Sequence, residues 1–139
     1  MVKKVFLEEH LETEGIASEY WEIIRDFYSI DKFHPAIEEC IELGNNERKL
    51  IIKTGNYVIE KMLKLDDILM NMEYIIVDTD MPIDKYSGKM SVREDENNSV
   101  NLIWNCELAP KGIAEDDLAK MMKGFFQAGL KGMDKLVRT

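Results

Sequence analysis

Cysteine, histidine, proline and runs of one kind are scarce in this chain, and each scarcity closes off a class of protein. Only two cysteines, Cys40 and Cys106, occur in 139 residues. With no CxxC spacing they exclude a disulfide scaffold and a cysteine-based zinc module, and they suit a reducing compartment. The two histidines, His10 and His34, form no HExxH-like pair that would set ligands on one helical face, so no metal and no cofactor is expected. No apolar run reaches the ~18 residues of a membrane-spanning helix. The opening MVKKVFLEEHLE carries two lysines but no apolar stretch of signal-peptide length. A cytoplasmic protein without membrane insertion is the expectation. Basic runs are missing too: 18 Lys and Arg stand against 27 Asp and Glu, and the net charge of −9 repels phosphate backbones, which argues against a nucleic-acid partner. The composition, 45% hydrophobic and 32% charged without a linker or low-complexity stretch, is that of a globular chain, and its length suits one domain over 1–139.

What is present begins with VKKVFLEEHLE, whose alternation reads as a first strand. SEYWEIIRDF follows as a short helix, with Ser18 placed as N-cap and Glu19 and Glu22 near the positive helix end. SIDKFHP reads as a second helical turn, which Pro35 ends by disfavouring helical geometry at His34. Six strand-like runs come next: IEECIEL, KLIIKT, YVIEKMLKL, MNMEYIIVD, YSGKMSVRE and VNLIWNCEL. Their separators are Gly, Asn, Asp and Pro turn chemistry, and connections this short join antiparallel neighbours. In the tail, Leu118, Met122, Phe125, Gly129, Met133 and Leu136 recur at the helical period, with Glu115, Asp116 and Asp117 at the start and Lys131, Lys135 and Arg138 at the end. Such a helix is long enough to cross a whole sheet. The predicted architecture is α+β: a seven-stranded, strongly curved antiparallel sheet wrapped around the C-terminal helix, with two short helices between strands one and two.

The hairpin KLIIKTGNYVIEKMLKLD poses a question, because Glu60 falls among apolar residues. A two-residue turn at Gly55-Asn56 would put Glu60 on a wet face with Lys49 and Lys53. A three-residue loop, Thr54-Gly55-Asn56, pairs Lys53 with Tyr57, turns the lysines outward and gathers Arg48, Leu50, Ile52, Val58, Glu60 and Met62 inward. The second register is preferred. It sets Glu60 opposite Leu50 and diagonal to Arg48, within reach of long side chains.

On later strands the same alternation gathers Met70, Met72, Tyr74, Ile76 and Asp78, then Tyr86, Gly88, Met90 and Val92, then Val100, Leu102, Trp104 and Cys106. This inward set mixes bulk with polar tips, where an ordinary core would be more uniformly Leu, Ile and Val. The methionines, including Met133 on the facing helix, are either plain gap-fillers or an adaptable ligand surface. Gly124, Gly129 and Gly132 each cost the helix ~1 kcal/mol relative to Ala. Close approach of helix and sheet accounts for that cost, and so does space left for a ligand.

In order along the chain, WEIIRDFYSIDKFHP, YVIEKMLKLD, MEYIIVDTDMPIDKYSGKMSV, LIWNCEL and GFFQAGLKGMDKL resemble segments of the SRPBCC superfamily (START, polyketide cyclase and birch-allergen type), closest to its polyketide cyclase/dehydrase-like branch. The resemblance implies a helix-grip fold with an apolar cavity between sheet and long helix, and a small hydrophobic molecule as partner. It leaves enzyme, carrier and sensor open. Arg48 and Glu60 are similar in position to an arginine and a glutamate that act on substrate in the lachrymatory-factor synthases. This makes them the candidate catalytic pair for a cyclisation, dehydration or isomerisation. The candidate ligand-binding residues are His34, Met62, Tyr74, Ile76, Tyr86, Met90, Trp104, Cys106, Phe125, Gly129 and Met133. Glu60 in an apolar cavity would have a raised pKa suited to proton transfer; fully satisfied by Arg48, it would be structural. Tyr74 and Tyr86 could bond a ligand carbonyl or each other, and His34 could stand at the cavity mouth or simply close a helix end. A ligand-binding interior calls for a pocket of ~300 Å³ or more. A homodimer is compatible with the sequence.

Overall fold

Strand order, as seen in a computed structural model that describes residues 3–139, is β1-β7-β6-β5-β4-β3-β2, every neighbour antiparallel. The strands are β1 (Val5–Thr13), β2 (Ile37–Gly44), β3 (Glu47–Ile52), β4 (Tyr57–Asp66), β5 (Asn71–Thr79), β6 (Ile83–Glu94) and β7 (Val100–Pro110). Helix α1 (Ala17–Arg25) and a 3₁₀ helix (Phe27–Lys32) connect β1 to β2, and α2 (Glu115–Arg138) closes the chain. Val2, assigned to the first strand from sequence, lies outside the described residues. The curved sheet and long terminal helix are the architecture expected from the alternation and the tail periodicity, and make the helix-grip fold that the family resemblance implies. Among the described residues no helix is long and apolar enough to cross a membrane.

Period two sets the strand faces. On β3 and β4, Arg48, Leu50, Ile52, Val58 and Glu60 are buried while Lys49, Ile51, Ile59 and Lys61 are only partly covered. The hairpin loop has three residues, but it is Lys53-Thr54-Gly55: Ile52 N–H donates to Asn56 O (2.8 Å), and Gly55 takes the left-handed position with φ +94°. Lys53 therefore does not face Tyr57; Ile51 does. Moving a three-residue loop by one position shifts the pairing by two, so each side chain keeps its face and only its partner changes. Glu60 lies directly opposite Arg48 instead of opposite Leu50.

Other boundaries differ for packing reasons. α1 starts at Ala17 with Ile16 at its N-cap and no side-chain cap, so Ser18 is inside the first turn and caps nothing. Burial of Ala17, Tyr20, Trp21 and Ile24 fixes the helix instead. The 3₁₀ helix begins at Phe27, ahead of the SIDKFHP run, and Ser29 Oγ donates to Asp26 O (2.8 Å). Met70 lies in the β4–β5 turn with φ +53°, not on a strand. Asp78, beyond a bulge, is exposed and accepts a hydrogen bond from Tyr57 Oη (3.1 Å).

The buried stripe of α2 is Leu118, Met122, Phe126, Gly129, Leu130 and Met133; Leu136 is exposed, and Phe125 is half-buried beside the stripe. The glycines separate. A Cβ on Gly132 would lie 2.0 Å from the Phe33 carbonyl oxygen, and one on Gly129 would lie 2.6 Å from Trp104 and 2.7 Å from His34. A Cβ on Gly124 would touch nothing within 4 Å. Close approach explains two of the three.

Candidate functional site

Direct cross-strand pairing puts Arg48 and Glu60 in one buried unit. Glu60 Oε1 accepts from Arg48 Nε (2.9 Å) and Nη2 (2.6 Å), Arg48 Nη1 donates to the Phe27 carbonyl, and the guanidinium lies 3.9 Å above the Phe27 ring. Arg48 is 2% exposed and Glu60 6%. Among the described residues Glu60 Oε2 has no protein hydrogen-bond partner. Burial pushes the Glu60 carboxyl up, and Arg48 opposes that shift.

A second polar chain lies across the sheet. Trp104 Nε1 donates to Tyr74 Oη (2.8 Å), which is 2.6 Å from Tyr86 Oη. Cross-strand register brings these together: Tyr74 on β5 pairs with Gly88 on β6, which pairs with Cys106 on β7. Gly88 has no side chain because the Tyr74 ring covers it; a Cβ there would lie 2.6 Å from that ring. Burial holds both phenols well above their ordinary pKa, so each is a neutral hydrogen-bonding group.

Between these groups and the first half of α2 is a cavity lined by Leu50, Ile52, Val58, Glu60, Tyr74, Ile76, Met81, Ile83, Tyr86, Met121, Met122 and Phe125. Its volume, counted as space open to the centre of a water-sized sphere, is about 40 Å³. That is room for about three waters at ~10–15 Å³ each. This interior is far fuller than the pocket of ~300 Å³ or more that the sequence reading calls for, because Met81, Met121, Met122 and Phe125 fill the space beneath the helix.

Of the expected site residues, Glu60, Tyr74, Ile76, Tyr86 and Phe125 line the cavity. Arg48 stands behind Glu60 and does not reach it. His34 is elsewhere: Nε2 donates to Phe125 O (2.8 Å), Nδ1 accepts from Ala36 N–H (3.1 Å), and desolvation lowers its pKa to about 4. With both ring nitrogens occupied and the ring 1% exposed, it ties α2 to the chain around Pro35 and is at no cavity mouth. Trp104 and Gly129 pack with it. Met62, Met90 and Met133 are also off the cavity wall, as is Cys106, whose thiol burial pushes up to about 12.

Several wall residues were missing from the expected site. Leu50, Ile52, Val58 and Met122 were already on inward faces by period, but Met81 comes from the TDMPID turn and Met121 from the flank of the helical stripe, where periodicity is silent. Asp67 is exposed, yet it accepts from Arg25 Nε (2.9 Å) and Trp21 Nε1 (2.9 Å), and those bonds lower its pKa. Among the described residues no three His, Cys, Asp or Glu side chains converge on a metal position.

Comparison with known proteins returns one family model, described as polyketide cyclase/dehydrase and lipid transport, matching residues 16–138. Among solved structures, the protein XoxI of Bacillus cereus is similar with a TM-score of 0.88 at 21% identity, covering 96% of this chain and 95% of its own. An uncharacterised protein of Bacillus thuringiensis gives 0.88 at 21%, covering 97% and 100%. A START superfamily protein of Mycobacterium smegmatis gives 0.82 at 14%, covering 96% and 97%. No curated protein matches the sequence significantly.

Proposed function

Since the chain belongs to the polyketide cyclase/dehydrase and lipid transport family, of the START-like SRPBCC type, we propose that it binds a small, largely apolar molecule in the cavity between α2 and β3–β6. Glu60 is the observation that carries this reading. It is a buried carboxylate with one oxygen held by Arg48 and the other without a protein partner, set in a wall otherwise made of Leu, Ile, Val, Met and aromatic side chains. Oε2 is not sealed in, so a polar group in the cavity can reach it, and one open carboxylate oxygen in an apolar wall suits a ligand with a polar end. The cavity is small as it stands, so a ligand larger than a few waters enters by displacing Met81, Met121, Met122 and Phe125. Unbranched methionines with three rotatable bonds suit that movement.

In the catalytic version, Glu60 moves a proton in a cyclisation, dehydration or isomerisation, with its raised pKa placing it nearer neutrality. Arg48 positions the carboxylate and touches no substrate. In the alternative, the protein carries or senses its ligand without converting it. Native mass spectrometry of the purified protein would identify a copurifying molecule, and Glu60→Gln would then separate the two versions. Binding with turnover lost supports proton transfer; unchanged turnover rejects it. We place the protein in the cytoplasm, working without metal, cofactor, nucleic acid or membrane insertion. A homodimer would be read from its mass by light scattering.

A further inference from the structure

The hydrogen-bond chain at the cavity contains more donors than it uses. Trp104 Nε1–H, Tyr74 O–H and Tyr86 O–H are three donors, but only two bonds join them, from Trp104 to Tyr74 and between Tyr74 and Tyr86. Trp104 can only donate, so Tyr74 Oη accepts from it. Either phenol can donate to the other; if Tyr86 did, the surplus proton would rest on Tyr74, 1% exposed against 5% for Tyr86, so the arrangement that leaves it on the less enclosed Tyr86 costs less. The chain therefore runs Trp104 to Tyr74 to Tyr86, and the surplus proton is the Tyr86 O–H. Tyr86 lines the cavity. Its other protein partner is the Cys106 thiol, off the cavity wall and only a weak acceptor.

Opposite in character, Glu60 Oε2 is an acceptor without a donor, and Glu60 lines the same cavity. One unspent donor and one unspent acceptor thus share an apolar chamber. We propose that the cavity selects an uncharged ligand bearing both a carbonyl-type acceptor, for Tyr86 O–H, and a hydroxyl donor, for Glu60 Oε2: a small hydroxy-carbonyl compound, not a fatty acid or other carboxylate. A ligand carboxylate would bring a second negative charge beside Glu60, with Arg48 already committed to Oε1 and to Phe27. This inference deepens the ligand-binding reading and rests on it.

The test needs no knowledge of the natural ligand. Diacetone alcohol, methyl isobutyl ketone and isovalerate share one branched skeleton and differ in offering donor plus carbonyl, carbonyl alone, or a carboxylate. Xenon fits small apolar cavities and reports the space itself. Titration of the full chain at neutral pH, followed by amide and methyl NMR shifts at Met121, Met122 and Tyr86, should rank diacetone alcohol roughly 10-fold above the ketone, with isovalerate weakest. Tyr86→Phe should weaken both carbonyl compounds roughly 10-fold and leave xenon binding unchanged. If xenon binds but the three organic probes bind alike, or isovalerate binds best, the selectivity inference is overturned while the cavity reading stands. If neither xenon nor any organic probe moves these resonances, both are overturned. The ranking is read on the unmodified protein, so the outcome does not depend on Tyr86→Phe folding.

Discussion

Helix α2 is one continuous element whose two halves meet the sheet in opposite ways. In the C-terminal half, glycines let the main chain in: Gly132 against the Phe33 carbonyl and Gly129 against Trp104 and His34. In the N-terminal half, Met121, Met122 and Phe125 bridge a wider gap that still holds about 40 Å³ of open space beside Glu60. Removing side chains brings backbones together and fixes them, whereas long flexible side chains fill a gap without fixing it. The same helix is thereby clamped at one end and adaptable at the other, and the open oxygen of Glu60 lies at the adaptable end.

The largest test of that contrast is Arg48→Ala. It leaves Glu60 buried without its counter-charge and releases the Phe27 carbonyl, so a loss of roughly 3–5 kcal/mol is expected in urea denaturation. A loss below about 1 kcal/mol would mean that water already reaches the pair, at odds with 2% exposure of Arg48.

The clamped half has its own signature in pH. His34 is held neutral, its pKa lowered from 6.5 to about 4 by burial. The unfolded chain therefore binds more protons between those values, and stability that is complete above pH 6.5 is lost as pH falls toward 4. The full loss amounts to roughly 3 kcal/mol. Glu60, with its pKa raised, acts in the opposite sense, favouring the folded state as it protonates. Subtracting the pH profile of His34→Gln from that of the native protein cancels Glu60 and isolates the histidine. A difference that does not vary between pH 6.5 and 4 would show the ring to be hydrated.

Gly132→Ala probes the clamp directly. Its Cβ would meet backbone, which cannot rotate away, so about 2 kcal/mol should be lost even after the gain in helix propensity. An unchanged denaturation midpoint would show that the two halves are equally yielding.

Much of this molecule was readable beforehand because short-period patterns report faces. Alternation placed Leu50, Val58, Glu60, Tyr74 and Trp104 inside, and their burial follows from it. The faces hold even where the pairing differs from expectation: a hairpin loop moved by one residue changes Glu60's partner from Leu50 to Arg48 without turning its side chain over. Long-range closeness had no such signal. Which helical glycine is pressed against backbone depends on where the Pro35 segment crosses α2, and the wall contribution of Met81 depends on a turn folding back beside β6. His34 illustrates the same gap. Its sequence neighbours give no sign that its ring bonds the Phe125 carbonyl, 91 positions away.

Gly124 is the smallest test and the one that separates helix chemistry from packing. It shares α2 with Gly129 and Gly132, is exposed, and has open space where a Cβ would stand. Nothing in the structure requires glycine there. Replacing it with alanine removes backbone entropy from the unfolded chain and improves helix propensity, so Gly124→Ala should raise stability by about 1 kcal/mol. It is the reverse in sign of Gly132→Ala, eight positions along the same helix. A destabilised Gly124→Ala protein would mean that the cavity end of α2 needs its flexibility in the resting state, and that the helix moves there as a segment and not only by rotation of Met121, Met122 and Phe125.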